Sequence, residues 1–78
     1  MITVQQLRAA RGLLNWSQSD LAKRAGLSQP TVKRVESARG LKVSDDARQK
    51  LRAALEAAGV EFTNGNAPGV RLKPRRRN

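Results

Sequence analysis

Between Gln18 and Ser37 the chain reads QSDLAKRAGLSQPTVKRVES, two short amphipathic runs on either side of a single glycine. Leu21 and Ala22 lie in the first run, and Ala25, Gly26 and Leu27 form the corner. Val32 and Val35 give the second run its apolar side. A corner this tight needs a left-handed backbone residue, and glycine adopts that conformation without a side-chain penalty. The spacing therefore predicts a helix, a sharp turn and a second helix packed on the first. The other segments must supply the apolar surface that covers this pair.

The helix ends are marked by their capping residues. Thr3 with Gln6 three positions on makes a capping box for a first helix from about Thr3 to Leu14, and Ile2 and Leu7 can close over it as a staple. Leu7, Ala10 and Leu14 recur there at helical spacing, and Gly12 weakens the last turn. Ser17 and Asp20 repeat the pattern, with Trp16 and Leu21 as the staple; Trp16 reads as a core residue, not a stacking platform for a ligand. Ser28 caps the third helix, with Pro30 in its first turn, where a missing amide proton is tolerated. Leu27 and Val32 form a third staple, and Arg39 and Gly40 close this helix. A fourth helix starts near Ser44 with Asp45 and Asp46 in its first turn. Ala47, Leu51, Ala54, Leu55 and Ala58 form its stripe, and Gly59 stops it.

Beyond Gly59 the period changes from helical to alternating. Val60 to Thr63 and Val70 to Lys73 read as strands, and Asn64 to Gly69 is rich in turn formers, so a hairpin is expected. An isolated two-stranded hairpin is marginal in water, so Val60, Phe62, Val70 and Leu72 need a cover, either the helices or the same hairpin of a second chain. The expected class is all-α: a bundle of four to five helices with a short C-terminal β-hairpin. Residues 1–59 form the helical domain and 60–73 a hairpin that is a candidate for dimerisation. Residues 74–78 form a basic tail, disordered when free.

Composition narrows the chemistry. Sixteen Lys and Arg against six Asp and Glu give a formal charge of +10, which attracts polyanions, nucleic acid foremost. Cysteine and histidine are absent, so the chain offers neither a disulfide nor an ordinary zinc site, and no cofactor is expected. Without His, Cys or Tyr, the only paired carboxylates are Asp45 and Asp46, which a helix start explains, and Ser17, Ser28 and Ser44 are explained as caps. An enzyme is not expected. No apolar run approaches the length of a membrane span, and the N-terminus lacks the apolar core of a signal peptide.

Ser17 to Ala22, Ala25 to Ser28 and Thr31 to Glu36 together resemble the helix-turn-helix of Cro and phage-repressor proteins, the Xre-like family, over about Thr3 to Ala58. The resemblance implies a transcriptional repressor or self-regulating controller, cytoplasmic and nucleoid-associated in a prokaryote or its mobile elements. It implies that Gln18 touches a phosphate and braces the third helix, and that Gln29 reads an adenine or guides that helix. It also implies that Glu36 pairs structurally with an arginine of the first helix, Arg8 or Arg11. Pro30 departs from the common pattern by removing a side chain that contacts bases in many relatives, which shifts base reading toward Gln29, Lys33 and Arg34.

A helix-turn-helix lays its second helix in the major groove. The expected reading face is Gln29, Thr31, Lys33 and Arg34, since Gln suits adenine and Arg or Lys suits guanine. One of Lys33 and Arg34 is expected on the backbone, because adjacent helical residues point about 100° apart. Gln18, Ser28, Lys23, Arg24, Ser37, Arg39 and Lys42 are candidate phosphate contacts, and Arg75, Arg76 and Arg77 candidate tail contacts. The expected partner is double-stranded DNA carrying an inverted repeat bound by a homodimer, with Val60, Phe62, Val70 and Leu72 as interface candidates. The alternative is an antitoxin or anti-activator that binds a protein partner with the same fold.

Overall fold

The computed structural model describes residues 3–37, 45–63 and 67–73. Among them run four helices, α1 (Val4–Leu14), α2 (Gln18–Ala25), α3 (Gln29–Glu36) and α4 (Asp45–Ala57), then the antiparallel hairpin of β1 (Val60–Thr63) and β2 (Gly69–Leu72). This is the all-α helix-turn-helix architecture with a C-terminal hairpin that the sequence predicts. The staple residue Ile2, the closing pair Arg39 and Gly40, and the cap Ser44 lie outside the described residues.

Both capping boxes form. The Gln6 amide donates to Thr3 Oγ1 at 3.0 Å while the Thr3 amide donates to Gln6 Oε1 at 2.8 Å. At α2 the Asp20 amide donates to Ser17 Oγ at 3.0 Å and the Ser17 amide to Asp20 Oδ2 at 2.9 Å. Ser28 Oγ accepts the Thr31 amide at 3.2 Å, and Pro30 sits in the first turn of α3. Gly26 ends α2 in the left-handed region at φ 71°, and the Leu27 amide reaches back to the Ala22 carbonyl at 2.9 Å. Gly59, at φ 104°, turns the chain from α4 into β1.

The end of α1 is set by a residue outside the sequence expectation. Asn15, at φ 57°, makes the left-handed cap, and its amide donates to the carbonyls of Arg11 and Gly12. Asparagine is among the few non-glycine residues that adopt this conformation readily. Gly12 lies inside the helix, exposed, with open space where a Cβ would stand.

Leu7 and Ala10 of α1, Leu21 and Ala22 of α2, Val32 and Val35 of α3, and Ala47, Leu51 and Leu55 of α4 form one buried cluster, completed by Val60 of β1. Leu14, Trp16 and Ala54 pack at its margin, and Ala58 is half-buried just past α4. Truncating a fully buried leucine such as Leu51 to alanine would cost about 2–5 kcal/mol. The helices, not a second chain, therefore cover the inner end of the hairpin.

Gln6 fastens the hairpin to this core. It is 3% exposed, and its Nε2 donates to the carbonyls of Thr63 at 2.9 Å and Gly69 at 3.0 Å, the last pair of the hairpin before its turn. With Oε1 accepting from Thr3, every polar atom of this buried amide is satisfied. Glu61 and Arg71 pair across the outer face of the hairpin.

Candidate functional site

The residues singled out by charge and spacing converge on α2, the Gly26 turn and α3. Along α3 the buried positions Val32, Val35 and Glu36 fall on one side, which leaves Gln29, Pro30, Lys33 and Arg34 exposed on the other. Thr31 is half-buried, and its hydroxyl is hydrogen-bonded to Ser28 Oγ at 2.8 Å, so both hydroxyls belong first to the cap. Ser37 is exposed, yet its O–H donates to the Lys33 carbonyl at 2.8 Å, with the Arg34 carbonyl at 3.4 Å. In this rotamer Ser37 offers lone pairs rather than a donor to an anion.

What holds α3 in place is a polar cluster beneath it. Glu36 is 7% exposed and accepts two bonds from Arg11 of α1, Nε to Oε2 and Nη2 to Oε1, both at 2.9 Å. Arg11 Nη1 also donates to the Trp16 carbonyl at 3.0 Å. Gln18, half-buried at the start of α2, donates its Nε2 to Glu36 Oε1 at 3.0 Å. Of the two arginines open to Glu36 in the sequence, Arg11 makes the contact, and Arg8 acts on it only through its charge. Burial pushes the Glu36 carboxyl up, but the bonds from Arg11 and Gln18 and the charges of Arg11 and Arg8 outweigh burial and hold it below the usual carboxylate range. The bond to Glu36 likewise raises the Arg11 guanidinium, against the opposing effect of burial. Fork-to-fork pairing of this kind fixes orientation as well as charge.

Lys23 and Arg24 are exposed on the last turn of α2. The Arg24 guanidinium lies 5.0 Å from the centre of the Trp16 ring, a cation–π contact that covers the outward side of a core-packed indole. Asp20 is exposed, and its carboxyl is held low first by the Ser17 amide and then by the Ser17 hydroxyl; the charges of Lys23 and Arg24 contribute less. Arg39, Lys42, Arg75, Arg76 and Arg77 lie outside the described residues.

Sequence reasoning missed a second feature beside α3. An open cleft of about 520 Å3 lies between α1, the start of α2 and the end of α3, and Arg8, Gln18, Lys33 and Ser37 are among its lining residues. The sequence offered Arg8 only as an alternative structural partner for Glu36, with no binding role; its place three residues before Arg11, on a neighbouring strip of the same helix, was a further signal.

The four apolar hairpin residues share one face but differ in exposure. Val60 is 1% exposed, Phe62 and Val70 are half-buried, and Leu72 is 44% exposed. Arg52 of α4 lies 5.8 Å from the Phe62 ring centre. Val60 is thus enclosed within its own chain, Phe62 and Val70 pack against the core while staying half-buried, and Leu72 is the exposed residue of the face. Among the described residues no cluster of three or more His, Cys, Asp or Glu side chains forms a metal site. No helix among them is long and apolar enough to cross a membrane.

The chain matches a known protein family. The model described as "Helix-turn-helix" aligns with residues 7–45, half of the chain, from within α1 to the first residue of α4. No curated protein matches the chain.

Proposed function

This chain belongs to that helix-turn-helix family and is a DNA-binding regulator, and from this premise we propose that it is a sequence-specific transcriptional repressor or autoregulator that inserts α3 into the major groove of double-stranded DNA. The observation that supports this reading best is the division of α3 into two faces. Val32, Val35 and Glu36 are locked inward, and Gln29, Lys33 and Arg34 stand outward in solvent on a rigid support. The buried Arg11–Glu36–Gln18 cluster joins α1, α2 and α3, so the outward side chains are presented with a fixed orientation. Pre-set orientation lets a bidentate contact distinguish one base from another by about 1–3 kcal/mol.

In this reading Gln29, Thr31, Lys33 and Arg34 read base edges, with Gln29 suited to adenine and Arg34 to guanine. Gln18, Ser28, Lys23 and Arg24, with Arg39 and Lys42, hold the phosphate rails, Ser37 is set aside because its proton is directed to the Lys33 carbonyl, and Arg75, Arg76 and Arg77 add contacts from the tail. A single α3 spans only a few base pairs, so two chains engage an inverted repeat with half-sites about one helical turn apart. The exposed Leu72, with the accessible edges of the half-buried Phe62 and Val70, is the proposed dimer contact. A cytoplasmic setting follows from the DNA-binding role.

Selection of bound duplexes from a random pool, followed by salt titration, tests the proposal. Wild type should enrich an inverted repeat and bind it with a log–log salt slope near −5, the value for about six neutralised phosphates. Gln29→Ala and Arg34→Ala should each change the enriched bases, and Arg76→Ala should weaken all duplexes alike. Unchanged preference in both α3 variants would remove α3 as the reading element.

A further inference from the structure

The cleft between α1, α2 and α3 holds an excess of positive charge that no contact within the described residues uses. Its one carboxylate, Glu36, is matched by the two-pronged bond to Arg11, and Gln18 takes a further share of Oε1. That leaves Arg8 from α1 and Lys33 from α3 facing the same concavity, both exposed and neither in a salt bridge among the described residues. Three cations, Arg8, Arg11 and Lys33, against the single carboxylate of Glu36 leave the cleft net positive, which favours an anion. Gln18 supplies directional donation as well: Nε2 carries two protons and only one is directed to Glu36. Gln18 is also the first residue of α2, whose positive end favours an anion and is shared here with the Asp20 carboxylate of the capping box.

We infer that Arg8, Lys33 and Gln18 form a seat for a single phosphate of the DNA backbone, and that Lys33 therefore serves the backbone and not the bases. The inference rests on the DNA-binding reading above and refines it. The seat draws on three helices already braced by Arg11 and Glu36, so one phosphate in it fixes how deeply the end of α3 enters the groove. Ser37 stays outside the coordination, because its proton is directed to the Lys33 carbonyl. Arg34 points about 100° away from Lys33 around α3, and Gln29 lies one turn nearer the start of the helix, outside the cleft lining. Base reading then falls to Gln29 and Arg34.

The test uses the full chain and a duplex enriched by the wild-type protein, with backbone phosphates replaced one at a time by uncharged methylphosphonate. Wild type should lose affinity at a small set of positions. Arg8→Ala and Lys33→Ala should both become insensitive at one shared position while keeping the wild-type base preference. A fourfold rise in salt should weaken each variant about 3.5-fold less than wild type, the factor expected for one lost phosphate contact. Circular dichroism melts should coincide with wild type, since both side chains are exposed. A changed base preference in Lys33→Ala, insensitivity at two different positions, or an unaltered salt response in both variants would each overturn the seat while leaving wild-type DNA binding intact. A wild-type chain that enriches no duplex would overturn the seat together with the reading it refines.

Discussion

Glu36→Gln is the most searching perturbation of the scaffold. Glutamine keeps the volume and offers Gln18 an acceptor, but it replaces one carboxylate oxygen with an amide whose protons face the Arg11 guanidinium. The bonds at stake are the two at 2.9 Å between Arg11 and Glu36. Breaking a fully buried pair from one side costs about 3–5 kcal/mol, because the partner's charge is left uncompensated. The Arg11 side chain remains 21% exposed and keeps its bond to the Trp16 carbonyl, so about 2–4 kcal/mol is expected here. For a domain of this size each kcal/mol moves the midpoint by about 4–8 °C, so the midpoint of thermal unfolding by circular dichroism at pH 7 should fall by about 8–32 °C.

The pH dependence has a definite sign. Glu36 is held below its ordinary range in the folded chain. Its stabilisation is therefore complete above the unfolded value, about pH 4.3, and is lost as pH falls through the lower folded value. At acid pH the wild-type carboxyl becomes neutral like the glutamine, and the gap between the two proteins should close. The double variant Arg11→Met/Glu36→Leu should melt closer to wild type than Glu36→Gln does, since replacing both partners leaves no buried charge. A Glu36→Gln midpoint within about 3 °C of wild type at pH 7, or a gap that persists unchanged to acid pH, would refute the reasoning.

Gln6→Ala should lower stability by about 2–4 kcal/mol through the lost volume and the lost donor to Thr63 and Gly69. Amide exchange would detect it as faster exchange in β1 and β2 than in α3, and equal acceleration everywhere would contradict the clasp. Leu72→Glu changes an exposed side chain and should leave the melting midpoint within a few degrees, at a cost of about 0.5 kcal/mol or less. If two chains pair through the hairpin as proposed, sedimentation should show wild type as a dimer and this variant as a monomer, and a variant that still sediments as a dimer would place the interface elsewhere.

Local chemistry made most of the fold readable in advance. Thr3, Ser17, Ser28, Gly26 and Gly59 act through bonds or dihedrals within a few residues, and each occupies the position its neighbours dictate. The apolar residues at helical spacing locate the core for the same reason. Three features needed the folded chain. Asn15 ends α1 because asparagine tolerates a positive φ, a weaker signal than the nearby Gly12. Gln6 was legible as a cap but not as the clasp of the hairpin, since Thr63 and Gly69 are brought to it only by tertiary packing. Arg8 and Lys33 approach one cleft because Arg11 and Glu36 set α1 against α3, and the choice of Arg11 over Arg8 required side-chain geometry. In the last two cases the deciding neighbour is remote in sequence, where periodicity carries no information.

The sole indole of the chain, at Trp16, lies beneath the Arg24 guanidinium. A phosphate drawn to Arg24 would compete with the ring for that cation and alter the polarity of the indole's surroundings. The chain thus contains its own optical gauge: the emission of one native fluorophore, excited without any label, would follow occupancy of the α2 end of the surface. The exposed residues of α3, Gln29, Lys33 and Arg34, could be varied without removing the ring or its cation.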